Sequence, residues 1–463
     1  MDTELWRSSS PSSIAGLGAI VPGMSARSKG STLLSGFRVF APFALSRLVL
    51  LLLAICLILA GCGRGRGVTT IRFASWGNEV EEKNLRALIG EFEKRHPKIK
   101  VEIEITPWAR MFDKLMISSA GGRPPDVTRV SSEWFPPIVA KGLLEPLDSY
   151  VKRDNYDLDD FYPEAVDGWG RYDGVLYEIP TDIDIYAMFY NKDMFDKAGL
   201  AYPDWTWNWD KFLEVAKKLT KDLDGDGDLD QWGCATSMWW EDYVWQSGGE
   251  IVSADGNKCL LDRPEAYRGL QFMSDLINKH HVAPNAQEAA NLGSAKLFTT
   301  GKIGMIVYGS WAAELIFKKE IKDFTYDVAP IVMGPKRRST FIGGAAYAVL
   351  RRSRHKEEAW ELVKWMTGKE YQRSAAIRSQ IIPSRRSVAE SGAYLKLNAP
   401  PANRKVFLEM IPYGHPRPHI SCAPEMFQII SSELDLVRLG KESAEAGCKK
   451  LTPVVDQLLR HRE

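Results

Sequence analysis

The segment from Tyr177 to Asp193, YEIPTDIDIYAMFYNKD, constrains the fold more than any other part of the chain. Pro180 ends one extended run, and a second run begins directly after it. In the second run Asp182, Asp184 and Tyr186 alternate with apolar residues, which is the two-residue period of a strand with one polar and one apolar face. This pattern predicts either a strand that crosses between two lobes and floors a ligand cleft, or a half-exposed strand whose acids are solvated.

The length and net charge of the chain limit the classes of protein to which it can belong. Its 463 residues, of which 45% are hydrophobic, suffice for two or more domains with a sizeable core. The formal net charge is +1, which gives no indication of nucleic-acid binding. The sequence contains no P-loop, no GxSxG motif and no zinc-ligand spacing, so we assign no catalytic residues.

The N-terminal segment is typical of an exported lipoprotein. Arg47 precedes the apolar run LVLLLLAICLILAG, which has the length of a signal peptide and is short for a membrane-spanning helix. The run ends in Leu-Ala-Gly before Cys62, which resembles the lipobox of bacterial lipoproteins. We therefore predict a removed signal region at residues 1–61, a lipidated Cys62 with a flexible tether at residues 62–68, and a protein anchored to the cell envelope that faces the periplasm or the cell exterior.

Export leads to an oxidising compartment, where cysteines form disulfides. Four cysteines follow Cys62, and four allow three pairings. Cys234 and Cys259 are nearest in sequence, and we predict a bridge between them. The pairing of Cys422 with Cys448 stays open, because helical rise can hold these two apart.

The chain after the tether begins with a strand–helix–strand pattern. A strand is predicted at Ile71–Ala74, a helix at Glu79–Arg95 from its helical spacing of apolar residues, and a second strand at Lys98–Thr106 from the strict alternation of KIKVEIEIT. This order is typical of an α/β sheet, whose ligands bind at the carboxyl ends of the strands. Trp76 and Trp134 both follow such ends.

Several motifs resemble the family 1 extracellular solute-binding proteins, which are the maltose-binding-protein-like receptors of ABC sugar importers. SWG, GGRPPDV, KGLLEPLD, YDGVLYEIP and FYNKDMFDKAGL follow one another in the family's order, and the likeness covers roughly residues 69–460. The resemblance implies an α/β, two-lobe periplasmic-binding-protein type II fold, with crossing strands between the lobes and a ligand cleft there. It implies a first lobe of residues 69–182 and 346–385 and a second lobe of residues 183–345 and 386–463.

A sugar cleft needs aromatic faces for the C–H surfaces of the ligand and polar groups for its hydroxyls. The resemblance assigns Trp76, Asp182 and Trp311 to ligand contacts. Adjacent tryptophans on a strand point to opposite sides, so one of the pair at 239 and 240 is expected to face the cleft. The other predicted lining residues lie at strand ends and crossings: Glu79, Glu133, Trp134, Asp184, Trp239, Trp240, Gly343 and Arg385.

The loop DLDGDGDLDQ has the oxygen-ligand spacing of a calcium-binding loop. Gly233 stands at position 12, where a bidentate glutamate is usual, so a distal carboxylate would have to complete the site. The alternative is a solvated acidic turn. We predict a structural calcium and no catalytic cofactor, with the following ligands: Asp222, Asp224, Asp226, Asp228 and Asp230.

Together these features predict a monomeric substrate-binding lipoprotein, and not an enzyme. It would capture a carbohydrate, an oligosaccharide, by lobe closure and deliver it to the permease subunits of an ABC importer. One alternative is a secreted glycoside hydrolase with Asp182 and Asp184 as acid and nucleophile. Another keeps the fold and changes the cargo to a glycerophosphodiester or a polyamine.

Overall fold

The computed structural model describes residues 67–461, apart from residues 237–238, 286–287, 289–292 and 380. The predicted signal region, Cys62 and the first part of the tether lie outside the described residues. Within the described part of the chain, no helix has both the length and the apolar character needed to cross a membrane.

The strands belong to two mixed sheets and one short hairpin. They are β1 Thr69–Trp76, β2 Ile99–Thr106, β3 Val127–Ser131, β4 Arg171–Tyr172, β5 Val175–Leu176, β6 Glu178–Pro180, β7 Asp182–Asn191, β8 Trp232–Cys234, β9 Ile303–Gly309, β10 Tyr326–Ala329, β11 Thr340–Gly343, β12 Ala345–Val349, β13 Ile382–Pro383 and β14 Gly414–His415. The first sheet has the order β2-β1-β3-β12-β6, and the second has the order β14-β11-β7-β9-β8 with β10 and β13 also paired to β7. Strands β4 and β5 form the hairpin.

Helices connect and cover these strands. The α-helices are Glu79–Arg95, Trp108–Ala120, Phe135–Ala140, Asp148–Arg153, Pro163–Ala165, Lys192–Lys197, Trp209–Leu219, Trp240–Gln246, Pro264–Asn278, Gly293–Thr299, Lys318–Glu320, Lys356–Met366, Lys369–Ser379, Arg386–Ala389, Gly392–Leu395, Lys405–Met410, Ala423–Arg438 and Ala444–Arg460. Val166–Gly170 and Ala313–Phe317 are π-helical, and Ile411–Tyr413 is a 3-10 helix.

The predicted strand–helix–strand start is confirmed. Helix Glu79–Arg95 begins at a capping box, in which the Asn78 side chain accepts from the backbone N–H of Glu81 and the Glu81 side chain accepts from that of Asn78. The helix returns the chain so that β1 and β2 pair in parallel along their full length. Leu88 and Phe92 are buried on the helix face that packs in the core of this sheet.

Strand β7 is the crossing that the alternating pattern predicts. Its first residues pair with β13 and then with β11, and its second half pairs with β9 and β10. The preceding strand β6 belongs to the first sheet, where it pairs with β12. The connections β6–β7 and β11–β12 therefore both join one sheet to the other. The residue ranges of the two lobes stay a prediction, and the terms first lobe and second lobe denote those ranges.

No disulfide joins any of the four cysteines in the described part of the chain. The thiol of Cys234 donates to the carbonyl of Val282 at 3.6 Å, whereas the sulfur of Cys259 accepts from the Thr452 hydroxyl at 3.6 Å. The predicted Cys234–Cys259 bridge is therefore wrong. Nearness in sequence did not bring the two sulfurs together, because Cys234 ends a core strand and Cys259 packs on the C-terminal helix Ala444–Arg460.

Glu178 on β6 is fully buried, and neither of its carboxylate oxygens has a hydrogen-bond partner among the described residues. Burial raises the pKa of Glu178 well above its usual value. In the unfolded chain the side chain releases its proton near pH 4.3, so above that pH the folded state holds one proton more and stability falls as pH rises.

Replacing Glu178 with glutamine is therefore expected to flatten this dependence. Urea unfolding at pH 5 and pH 8 measures how the unfolding free energy depends on pH. The variant is expected to lose a slope of up to about 1.4 kcal/mol per pH unit. The same change at the exposed Glu102 is the control, and it should leave the difference between the two pH values as in the unmodified protein. A Glu178→Gln protein with an unchanged difference would show that Glu178 is already ionised in the fold.

Candidate functional site

The polar face of β7 lies between the two sheets, and Asp182 begins it. The Asp182 carboxylate accepts from the Arg129 guanidinium at 2.6 Å and from the backbone N–H of Ala345 at 2.7 Å, and the residue is 3% exposed. These bonds join β7 to β3 and to β12. The structure thus gives Asp182 a role in holding the crossing strands, and its predicted ligand contact stays a prediction.

Asp184, the next polar residue on this face, is half-buried. Burial, followed by the charge of Asp182, raises the pKa of Asp184 to about 7, against the opposing effect of Arg129. No hydrogen bond or ion pair joins its carboxylate to another described residue. Asp184 is therefore the acid on this strand that is available to accept from a ligand.

An aromatic wall stands at the carboxyl ends of the first sheet. Trp76 and Trp134 lie edge to face with ring centroids 5.4 Å apart, and the Arg129 guanidinium lies 4.2 Å from the centre of the Trp76 ring. Trp134 is largely buried, so it supports the half-buried Trp76. Trp108, which the sequence analysis missed, packs 5.1 Å from Trp134 and is 37% exposed. Its signal is similar to that of Trp76: an aromatic residue at the end of a strand of the first sheet or two residues after it.

A second aromatic group lies on the second sheet, beside Tyr186 of β7. Trp239 packs edge to face on Tyr186 and stacks on Phe341 of β11, with centroid distances of 6.0 and 5.5 Å. Trp240 is 3% exposed and packs against Phe427 in the core. The two tryptophans do not lie on a strand, because Trp239 is the N-cap of helix Trp240–Gln246. Trp239 is half-buried, and its ligand contact stays a prediction. The assignment of Trp240 to the ligand is wrong, because the residue is buried in the core.

Trp311 follows β9, and its position depends on a glycine. The indole folds back over Gly309, where a side-chain methyl group would overlap the ring. Gly309 pairs with Tyr186 of β7, so Trp311 lies beside the crossing strand. The half-buried ring also packs edge to face on Tyr308 at 5.3 Å. Trp311 thus lies next to strand β7, which carries Asp184.

Of the remaining predicted lining residues, Gly343 lies beside Asp184, whereas Glu79 has no described contact with the aromatic groups. Gly343 pairs with Asp184, and a methyl group there would lie 2.6 Å from the Ser132 hydroxyl oxygen, so glycine permits close approach of the Ser132 side chain to β11. Glu79 is exposed at the start of its helix, and no described contact joins it to the aromatic walls.

The assignment of Arg385 to the ligand is wrong. Arg385 is 3% exposed, and its guanidinium donates to the Thr367 carbonyl at 2.7 Å, to Asp160 at 3.2 Å and to the Tyr156 hydroxyl at 2.9 Å. The group also lies 4.2 Å from the centre of the Phe161 ring. These contacts hold the guanidinium buried inside the first lobe.

The cleft contains an ion-pair group that the sequence analysis did not assign. Arg417 contacts Glu133, at 3.4 Å, and Glu241, at 2.6 Å. Burial raises the pKa of Glu133 despite the nearby Arg417 charge. Glu133, Asp182 and Asp184 therefore lie in a poorly solvated region. Carboxylates there outnumber the guanidinium groups, which belong to Arg129 and Arg417. The only sequence signal for Arg417 was its place between two prolines.

The acidic loop brings three of its five predicted ligands together. One carboxylate oxygen each from Asp222, Asp224 and Asp226 lies within 4.8 Å of the others, and all three residues are exposed. Backbone N–H groups of Gly227 and Gly225 lower the pKa of Asp222, and both glycines have positive φ, 100° and 81°.

The other two predicted ligands have different positions in the loop. Asp230 accepts from the backbone N–H of Leu223 at 2.8 Å, and the backbone N–H of Asp228 donates to Asp226 at 2.9 Å. Gly233, at position 12, packs against the backbone of Ala216 and leaves no space for a side chain. The three clustered carboxylates fit a hard cation such as calcium, which binds oxygen ligands.

Comparison with known proteins shows the family to which this chain is similar. Residues 76–373 match the family described as bacterial extracellular solute-binding protein. A binding protein of Brucella abortus is 27% identical over 373 residues, which are 80% of this chain and 88% of the relative. The galactooligosaccharide-binding protein of Bacillus subtilis is 24% identical over 403 residues, 84% of this chain and 91% of the relative.

Solved structures agree with the two-lobe fold. An ABC substrate-binding protein from Listeria monocytogenes, in complex with cycloalternan, is 26% identical, with a TM-score of 0.76. The match covers 84% of this chain and 99% of that one. Since the matched family residues span well over half of the sequence, the chain belongs to the bacterial extracellular solute-binding proteins.

Proposed function

We propose that this protein captures an oligosaccharide between its two lobes and delivers it to the permease of an ABC importer. The observation that carries the proposal is that both aromatic groups adjoin β7. Trp76 lies against the Arg129 guanidinium that pairs with Asp182, and Trp239 packs on Tyr186. Asp184, whose carboxylate has no bond to a described residue, lies on the strand between Asp182 and Tyr186. Aromatic faces suit the C–H surfaces of a sugar ring, and the carboxylate suits its hydroxyl groups. The oligosaccharide ligands named for the relatives support the same class of cargo.

The family consists of extracellular binding proteins, so the protein is exported and is not an enzyme, as the sequence predicts. The glycoside hydrolase alternative loses its support, and the two oxygens of Asp182 are moreover held by Arg129 and Ala345. The alternative cargoes, a glycerophosphodiester and a polyamine, share the fold and are distinguished by binding.

The test is titration calorimetry against monosaccharides, oligosaccharides of two to four units, a glycerophosphodiester and a polyamine. We expect saturable binding of an oligosaccharide with a negative heat-capacity change, because aromatic and apolar surface is buried on closure. Binding of the polyamine or glycerophosphodiester alone would overturn the proposal. Release of new reducing ends during incubation with an oligosaccharide would restore the enzyme alternative.

A structural calcium in the loop Asp222–Gln231 is part of the proposal. Calcium would neutralise the three clustered carboxylates, whose mutual repulsion otherwise costs stability. Adding calcium to the chelator-treated protein is expected to raise the unfolding free energy by about 2.7 kcal/mol at a concentration a hundred times the dissociation constant.

Thermal melts with and without calcium measure this effect. Asp222→Asn combined with Asp224→Asn should abolish the calcium-dependent shift, whereas Asp159→Asn at an exposed position of the first lobe should leave it unchanged. A shift of equal size in the double variant would place calcium elsewhere in the protein.

We further propose that the exported protein is a monomer held to the membrane by lipid on Cys62. The basic residue, the apolar run and the small residues before this cysteine support the proposal. Mass spectrometry of the N-terminal peptide from the membrane fraction tests it directly. Cys62→Ser should move the protein from the membrane fraction to the soluble fraction.

A further inference from the structure

The segment Gly414–Ile420, here called the strap, contacts both lobes at the cleft. Its sequence, GHPRPHI, contains two prolines, which fix the backbone dihedral φ at two positions and limit the flexibility of the segment. Strand β14, its first part, pairs in parallel with β11 of the second sheet. The His415 ring stacks on Trp245 at 4.2 Å, and its Nε2 lies 3.3 Å from Glu250. This end of the strap is therefore fixed on the second lobe.

The other end of the strap reaches the first lobe. Nε2 of His419 is hydrogen-bonded to the carbonyl oxygen of Gly168, which lies in the π-helix Val166–Gly170. The His419 ring stacks parallel to Tyr172 at 6.4 Å and meets the edge of Phe135 at 6.1 Å. The two histidines thus contact separate surroundings on different lobes, which accounts for their spacing without a shared metal.

Arg417, in the middle of the strap, has contacts on both sides of the cleft. Its Nε and Nη2 atoms donate to one oxygen of Glu241 on the second lobe, at 2.8 and 2.6 Å, and its Nη1 lies 3.4 Å from Glu133 on the first lobe. The guanidinium also lies between two rings, 4.0 Å from the centre of Trp239 and 4.2 Å from that of Phe427. Cation–π contacts of this kind strengthen as water is excluded.

Arg417 is the cation that contacts both Glu133 and Glu241. Glu241 is fully buried, and its second carboxylate oxygen has no hydrogen-bond partner in the described chain. Without the guanidinium, Glu133 and Glu241 would approach each other across the cleft as two carboxylates in a poorly solvated region. Like charges in such a region repel strongly, so the lobes would separate.

We infer that Arg417 is the positioning residue for lobe closure: it links Glu133 of the first lobe to Glu241 of the second and holds Trp239 in the orientation that a sugar meets. The inference deepens the proposed function and rests on it for the ligand. The link itself, however, acts in the protein without ligand. A sugar would then bind to lobes whose closed arrangement is already favoured, which lowers the conformational cost of binding.

The first test uses the ligand-free protein. Small-angle X-ray scattering should give a larger radius of gyration for Arg417→Gln than for the unmodified protein, and a similar increase for Glu133→Gln. Arg417→Lys keeps the charge and should restore part of the closed form. The matched control is Arg153→Gln, which removes an exposed arginine that is paired with Glu357 far from the cleft. A radius unchanged in both Arg417→Gln and Glu133→Gln would overturn the inference.

The second test uses the sugar that calorimetry identifies. Arg417→Gln should increase the dissociation rate constant about tenfold, because the lost contact spans the interface that must open for release. The double variant Arg417→Gln, Glu133→Gln should add little to the single changes, since both remove the same link. Fully additive effects would contradict the link and indicate two independent ligand contacts.

The two tests also separate this inference from the proposed function. If the unmodified protein binds no carbohydrate but opens on Arg417→Gln, the proposed function fails and the link stands. If Arg417→Gln does not fold by circular dichroism, Glu133→Gln decides the outcome, because Glu133 is half-buried at the rim and its amide fills the same space.

Discussion

Replacing Asp182 with alanine is expected to lower the free energy of unfolding by about 3–5 kcal/mol, as for other broken buried ion pairs. The change leaves the Arg129 guanidinium without its carboxylate, and its Nε already has no hydrogen-bond partner within the described part of the chain. It also leaves the backbone N–H of Ala345 unpaired inside the crossing strands. Urea unfolding followed by tryptophan fluorescence measures the loss.

The asparagine variant of Asp182 is the matched control for this change. Its amide oxygen can still accept from Ala345 but carries no charge for Arg129, so its loss should fall between zero and that of alanine. Because the lost bonds join β7 of the second sheet to two strands of the first sheet, the alanine variant should also bind sugar more weakly. An alanine variant within about 1 kcal/mol of the unmodified protein would show that solvent replaces these bonds at the cleft.

Replacing Trp311 with alanine is expected to weaken oligosaccharide binding roughly ten- to a hundredfold. A stacked aromatic ring contributes about 1.5–3 kcal/mol through its buried area and its contact with the ligand, and each 1.4 kcal/mol corresponds to a factor of ten. Calorimetry gives the affinity, and a thermal melt checks that loss of the packing on Tyr308 has not unfolded the lobe.

Two further variants test whether the position of the Trp311 ring matters for binding: Gly309→Ala displaces the ring, and Trp205→Ala is the control. Gly309→Ala keeps the indole but adds a methyl group where the ring lies, so it should displace Trp311 and reproduce much of the affinity loss. Trp205→Ala removes a 39%-exposed tryptophan that packs on Tyr413 on the second lobe and should leave the affinity unchanged. Sugar affinity that survives Trp311→Ala would remove this residue from the binding surface.

Local periodicity in the sequence was sufficient for the elements of the fold. The helix Glu79–Arg95 and the alternating strand β2 follow from apolar spacings of 3.6 and 2 residues, which act over a few neighbours. The alternation on β7 likewise placed Asp182, Asp184 and Tyr186 on one face. Turn chemistry predicted the acidic loop, three of whose carboxylates do converge.

The contact partners of individual side chains could not be predicted from the sequence in the same way. Trp240 and Arg385 have the residue types of a sugar site, yet both are buried in the core of their lobes, at 3% exposure. Cys234 and Cys259 are close in sequence and bind different neighbours. Composition and spacing report which residues could serve a site, and they do not report which face of an element meets the cleft.

The sequence by itself therefore determined the α/β class, the crossing strand and the family, because these depend on short-range patterns and ordered motifs. Only the tertiary structure decided that Asp182 holds the crossing strands and that Arg417 joins the lobes. Asp182 bonds to a backbone 163 residues away, and Arg417 bonds to a carboxylate 176 residues away. Contacts at such separations form only after both sheets have packed, so no local pattern in the chain encodes them.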